Sequence, residues 1–255
     1  MRKSGILMHI SSLPSEYGIG KMGSSAYDFV DFLVQSGVKC WQILPLSPTS
    51  YGDSPYQSFS VYAGNPYFID FDALKQEGLL KKSDYQNIKW QDNPNQVNYS
   101  RIYENCYKVL KIAYKTYRRD ISKKYGSFVE KNKDWLEDYA LFMALKSHFN
   151  NVSWGEWETD IKFRKPEAMS RYEEQLSDDI GYWKFIQFEF YLQWNALKQY
   201  ANSNGIEIIG DIPIYMGYDS VDVWANQGEF QLDENLTPIK VAGCLLYTSD
   251  AADDK

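Results

Sequence analysis

The apolar positions change period several times along the chain, and each change marks an element. Gly5–Ile10 is a short apolar run closed by Ser11-Ser12-Leu13-Pro14, which predicts a buried strand. Ala26, Phe29, Val30 and Leu33 then repeat at helical spacing. Ser25 and Asp28 have the spacing of a capping box, and Gly37 suits the residue after a helix end. Val38–Leu46 is a second buried run. Strand, helix and strand within about forty residues predict a βαβ unit with parallel neighbouring strands. Pro45–Tyr67 follows with neither period. Phe68–Leu74 suits a strand or turn, a polar helical patch reaches about Tyr85, and Asn87–Asn98 is irregular.

Helical spacing returns at Arg101–Lys124, with Tyr103, Cys106, Tyr107, Leu110, Ala113, Tyr114 and Tyr117 on one side. It recurs at Trp135–Phe149 and at Tyr182–Asn202, where Ile186, Phe190, Trp194 and Leu197 share a face. Residues 150–180 are charged and read as a connector. Ile206–Ile214, rich in isoleucine, predicts a third buried parallel strand, with Asp211 near its C-terminal end. Asp219, Asp222 and Trp224 fall in a loop, and Phe230–Leu236 predicts a small hairpin. This is α/β order, but only three or four strands are found, where a (β/α)8 barrel needs eight in roughly 250 residues. The pattern describes the first part of a barrel, left incomplete by a large helical insertion at about 71–180.

Composition narrows the function classes. A net charge of −7 with no basic stripe argues against a nucleic-acid surface. No apolar run is long enough to span a bilayer, and the first residues do not form a signal peptide. Three irregularly spaced cysteines give neither a disulfide framework nor a metal site, so a reducing, cytoplasmic setting is expected. His9 and His148 lack a companion nucleophile or ligand set and are read as structural. No cofactor is expected.

The aperiodic stretch carries the candidate chemistry. Loops that long in a compact domain are usually binding loops, lids or disorder, and disorder fits poorly with Tyr51, Tyr56, Phe59, Tyr62 and Tyr67. Gly52, Pro55, Gly64 and Pro66 favour fixed turns. Asp53, Gln57 and Asn65 sit between the rings. Rings that stack on apolar sugar faces, with polar groups for hydroxyls, suit a carbohydrate; a packed cover over the core is the competing reading. Asp211 has two readings as well, a catalytic-end carboxylate or the cap of a following turn.

Four segments, Ser4–Gly20, Trp41–Asp70, Asp138–Phe149 and Ile208–Asn226, resemble the 4-α-glucanotransferases (amylomaltases), family 77 of the glycoside hydrolases. The similarity runs in register to about Gly243. Met216-Gly217 and Val221 depart from the family's usual Val-Ala and Ala. The resemblance implies a barrel over residues 1–243. It implies retaining transfer of a 1,4-α-glucan segment from a maltooligosaccharide, starch-type or glycogen-type donor to the 4-hydroxyl of a glucan or glucose. Tyr56 matches an active-site tyrosine beside the donor sugar, and Tyr51 and Tyr99 match a second, remote glucan site. Asp211 matches a supporting aspartate that does not attack. The family's nucleophile and acid/base follow later strands, so this chain is expected to be inactive alone. A non-catalytic glucan-binding fragment is the alternative reading; a hydrolase or branching enzyme of the same clan is disfavoured by the Trp41–Asp70 block. Residues 244–255 read as a non-native tail.

Overall fold

The computed structural model describes residues 2–50, 52–93, 95–118 and 122–240. Tyr51 and the 244–255 segment lie outside them. Three parallel strands form one sheet in the order β1 (Gly5–Leu7), β2 (Cys40–Gln42), β3 (Glu207–Ile209). Gly5 pairs with Cys40, which pairs in turn with Glu207. Backbone bonds from Met8 N to Gln42 O and from Ile43 N to Ile209 O, both 3.0 Å, carry each ladder one step further. The strands are shorter than the apolar runs predict. Pro45 and Pro213 have no N–H to donate, so neither run can continue as ladder.

The helices are α1 (Ser24–Gln35), α2 (Phe71–Gln76), α3 (Tyr99–Tyr117), α4 (Lys123–His148), α5 (Thr159–Lys162), α6 (Pro166–Gln175), α7 (Ser177–Ser203) and α8 (Val221–Ala225). The sheet and the β1–α1–β2 crossover match the sequence expectation. The capping box does not form. The helix enters at Gly23, with no side-chain cap. A Cβ at Gly23 would lie 2.6 Å from an Asp70 carboxylate oxygen, so only glycine leaves room there. Phe68–Leu74 is no strand: Asp70 caps α2, its Oδ2 accepting from Ala73 N at 2.9 Å. The expected Arg101–Lys124 helix stops at Tyr117, and α4 starts twelve residues before Trp135, capped by Ser122. The 150–180 connector holds α5, α6 and the first turn of α7. The loop at 219–224 contains α8, capped by Ser220. A short antiparallel bridge, Leu232 to Pro238, stands where the hairpin was expected.

Helix α7 organises the core, touching α1, α3, α4, α6 and β3. Phe185, Ile186, Leu197 and Ala201 on it are fully buried beside Trp41, Tyr139 and Phe142. Burying such side chains contributes about 1.5–3 kcal/mol each, before the opposing loss of chain entropy. The expectation of a buried third strand is not met in this chain. Among the described residues β3 pairs with β2 alone, and Ile212 and Ile214 beyond it are 79% and 88% exposed.

Candidate functional site

The Pro45–Tyr67 stretch is a chain of fixed turns. Thr49 and Ser58 form an antiparallel bridge, and Ser50 N donates to Gln57 O at 2.9 Å, so 48–50 and 57–59 pair as a small hairpin. Beyond it Ser60 Oγ accepts from Tyr62 N and Ala63 N, both at 3.2 Å, and Asn65 Oδ1 accepts from Tyr67 N at 3.0 Å. These are the local turns that short polar side chains build.

Two helices pin this loop from outside. On α7, the Gln187 amide both accepts from Gly64 N (2.7 Å) and donates to Gly64 O (3.0 Å). Six residues on, Gln193 does the same to Asp70, at 2.7 and 3.3 Å. Each amide replaces the strand partner that a buried loop backbone lacks. On α8, Asp222 Oδ2 accepts from Val61 N at 3.1 Å while Val221 N donates to Phe59 O at 2.9 Å. Burial raises the Asp222 carboxyl's pKa, and the Val61 N–H partly offsets this. Gly64 is obligatory, because a Cβ there would lie 2.0 Å from the Phe190 ring.

The hairpin separates the predicted residues into two groups. On one side Tyr56, 46% exposed, donates from its hydroxyl to Asp211 Oδ2 at 2.7 Å. That bond raises the tyrosine's pKa. Asp211 Oδ1 accepts from Ile212 N at 2.8 Å, which fixes the carboxylate beyond the C-terminal end of β3. The local turn read for Asp211 is present, and its second oxygen is taken by the Tyr56 hydroxyl. On the other side Asp53 and Tyr99 line a cleft of about 1050 Å³ with Tyr103, Tyr107 and Trp183. Burial raises the pKa of Asp53, and of Tyr99 with a further contribution from Asp53. Asp53 holds φ +55°, a left-handed conformation uncommon for a non-glycine residue and more frequent at turn tips and ligand clamps. Gln57 is exposed; its backbone carbonyl closes the hairpin.

Five of the cleft's rings come from helices α3 and α7, and Phe59 and Tyr67 come from the loop. Tyr103 and Tyr107 meet edge to face at 5.5 Å, and Tyr107 meets Trp183 at 5.6 Å. Read by period alone, Tyr103 and Tyr107 belong to a core stripe. The structure leaves Tyr103 half-exposed at the cleft. Lys146 was missed as well. It is buried at the end of α4, and its ammonium donates to Asn151 O (3.0 Å), Val152 O (2.8 Å) and Asp219 Oδ2 (2.6 Å). It thereby fixes the 150–152 turn at the cleft floor. A lysine on the stripe of Leu136, Tyr139 and Met143 was the available signal. Among the described residues there is no group of three or more potential metal ligands, and no helix is long and apolar enough to cross a membrane.

Parallel strands in chain order, outer helices and a ring-lined cleft define an α/β protein with a site beyond the strand ends. The family described as 4-alpha-glucanotransferase, glycoside hydrolase family 77, matches residues 8–244. The 4-alpha-glucanotransferase of Clostridium butyricum is 54% identical over 238 residues, covering 93% of this chain and 49% of that protein. That of Streptococcus pneumoniae is 49% identical over 246 residues, covering 95% and 48%. The structure of the amylomaltase from Streptococcus agalactiae in complex with acarbose matches with a TM-score of 0.93 at 47% identity, over 95% of this chain and 50% of that one. The chain belongs to the 4-alpha-glucanotransferase family. It spans about half the length of these relatives.

Proposed function

We propose that this chain is the N-terminal part of a 4-α-glucanotransferase barrel, with residues 71–180 inserted between β2 and β3 and 244–255 as a non-native tail. The whole enzyme moves a 1,4-α-glucan segment from a donor to the 4-hydroxyl of an acceptor glucan or glucose, in two displacements that retain configuration. Tyr56 stands beside the donor sugar, its hydroxyl held by Asp211, which supports the site without attacking. Asp53 and Tyr99 contribute to a second glucan site in the cleft, and Tyr51, outside the described residues, is assigned to that second site by resemblance alone. The nucleophile and the acid/base are outside these 255 residues, and the enzyme works in the cytoplasm. The observation that carries this reading is the Tyr56–Asp211 bond, 2.7 Å, formed across 155 residues at the strand ends within a family match.

The isolated chain is expected to leave maltotriose unchanged, whereas glucose and longer oligomers would overturn its assignment as an inactive part. The alternative, a piece that binds glucan without chemistry, is favoured by the cleft, which the described residues line with five aromatic side chains from α3 and α7. Titrating maltoheptaose tests it. Binding weakened about tenfold by Tyr99→Ala and little by Tyr56→Ala assigns glucan to the cleft, since one stacked ring is worth about 1.4 kcal/mol. Equal affinities for the parent and both variants would remove the cleft from the proposal.

A further inference from the structure

A second cavity, about 510 Å³, lies between the end of α2, the end of α3, the start of α4 and the outer side of α7. It shares no lining residue with the cleft. Its notable member is Glu189. This side chain is 1% exposed, and neither carboxylate oxygen has a hydrogen-bond partner that meets ordinary geometry among the described residues. A buried, unpartnered carboxylate is among the costliest arrangements in a protein, and the usual escape is to take up a proton. The other titratable groups lining the cavity are Glu77 at the C-cap of α2, Tyr117 of α3 and Lys124 of α4. Lys124 acts on Glu77, lowering its pKa, and has no ion-pair contact with Glu189.

The Glu189 oxygens have almost no surface open to solvent. A metal ion or ammonium group could not reach them without moving α7 or the end of α2. A proton can. We propose that Glu189 keeps a proton in the folded chain, favoured by the Glu77 carboxylate that lines the same cavity, and that its release loosens the seam between the end of α2 and α7. Glu189 is then a neutral carboxylic acid, and Glu77 is the more exposed of the two. No bond other than O–H is made or broken, and the proton leaves to solvent.

The direction follows from burial. Desolvation first, and the Glu77 charge second, push the Glu189 carboxyl up to about 8, against about 4.3 in an unfolded chain. Between those values the fold keeps a proton that the unfolded chain has released. Stability therefore falls as pH rises through that window and levels off above it. The seam matters because Gln187 and Gln193, which pin Gly64 and Asp70, flank Glu189 on the same helix.

Two measurements test this on the 255-residue chain. The first follows the Glu189 carboxyl carbon by NMR, in the parent and in Glu77→Gln. The expected midpoint lies well above the ordinary carboxylate range and moves down in Glu77→Gln. A parent midpoint near 4–5 overturns the retained proton, and one that Glu77→Gln leaves unmoved overturns the part given to Glu77. The second is hydrogen exchange at Leu79 and Leu80, corrected for intrinsic rates. Protection should fall by up to about tenfold per pH unit between 5 and 7.5, as for one proton released on opening. In Glu189→Gln that slope should vanish. Equal slopes in parent and variant would overturn the link between the proton and the seam. The NMR arm needs only the parent and a surface substitution, so it decides even if Glu189→Gln folds poorly.

Discussion

Two stretches of this chain leave the C-terminal ends of neighbouring strands, and both are rich in apolar and aromatic residues. The one after β2, residues 45–67, is held at most of its turns. The one after β3, residues 210–216, leaves Ile212, Ile214 and Tyr215 largely exposed. Hydrophobicity does not separate them. Backbone satisfaction does. The first receives Gln187, Asp222 and its own serines as partners for N–H and C=O groups, so it can be buried. In the second, the recorded backbone contact is the local bond from Ile212 N to Asp211, with Tyr56 reaching across to the same carboxylate. A buried segment needs its polar backbone paired, and apolar side chains alone do not bury it.

The largest effect that would break this contrast is at Gly64. Gly64→Ala forces a Cβ to 2.0 Å from the buried Phe190 ring, so the loop or α7 must move. A loss of about 3 kcal/mol or more in urea unfolding is expected, at the upper end of overpacking costs. A loss under 1 kcal/mol would mean that the loop is not clamped to α7. Next comes Gln187→Leu, which keeps bulk but strands the Gly64 N–H and C=O. The expected cost is about 2 kcal/mol, because unpaired buried groups lose their full solvation. Gln193→Leu should cost a similar amount through Asp70. If either change is neutral, backbone pairing is not what orders the loop.

The sequence made the β1–α1–β2 unit legible because a helical stripe stood between two apolar runs. It also indicated an ordered loop, through five tyrosine or phenylalanine residues amid turn formers. It could not show the anchors. Gln187, Gln193 and Asp222 look like ordinary polar positions on helices, and their partners lie 123 or 161 residues away. Nor could spacing tell that Asp53 and Tyr56, three residues apart on one hairpin, part company, the first lining the cleft and the second bonded to Asp211. Between them the chain turns with φ +55° at Asp53, which spacing does not show. The isoleucines of Ile206–Ile214 pointed to burial on both faces. Ile206 is buried, but the run past Ile209 pairs with no further strand among the described residues.

The smallest expected effect gives the sharpest reading of that last segment. Ile212→Ser together with Ile214→Ser removes two large apolar side chains. Were they packed, each would cost about 2 kcal/mol or more on the usual scale for burying an isoleucine. At 79% and 88% exposure there is little buried area to lose, so the double variant of this chain should stay within about 0.5 kcal/mol of the parent. It should also be less prone to self-association, because the changed surface is an exposed apolar one. Urea unfolding at two protein concentrations separates the two effects. A loss above 1 kcal/mol that grows with concentration would mean that the segment is covered by another copy of the chain. The same loss at both concentrations would mean that it packs within the chain, and the contrast with the clamped loop would then have to be given up.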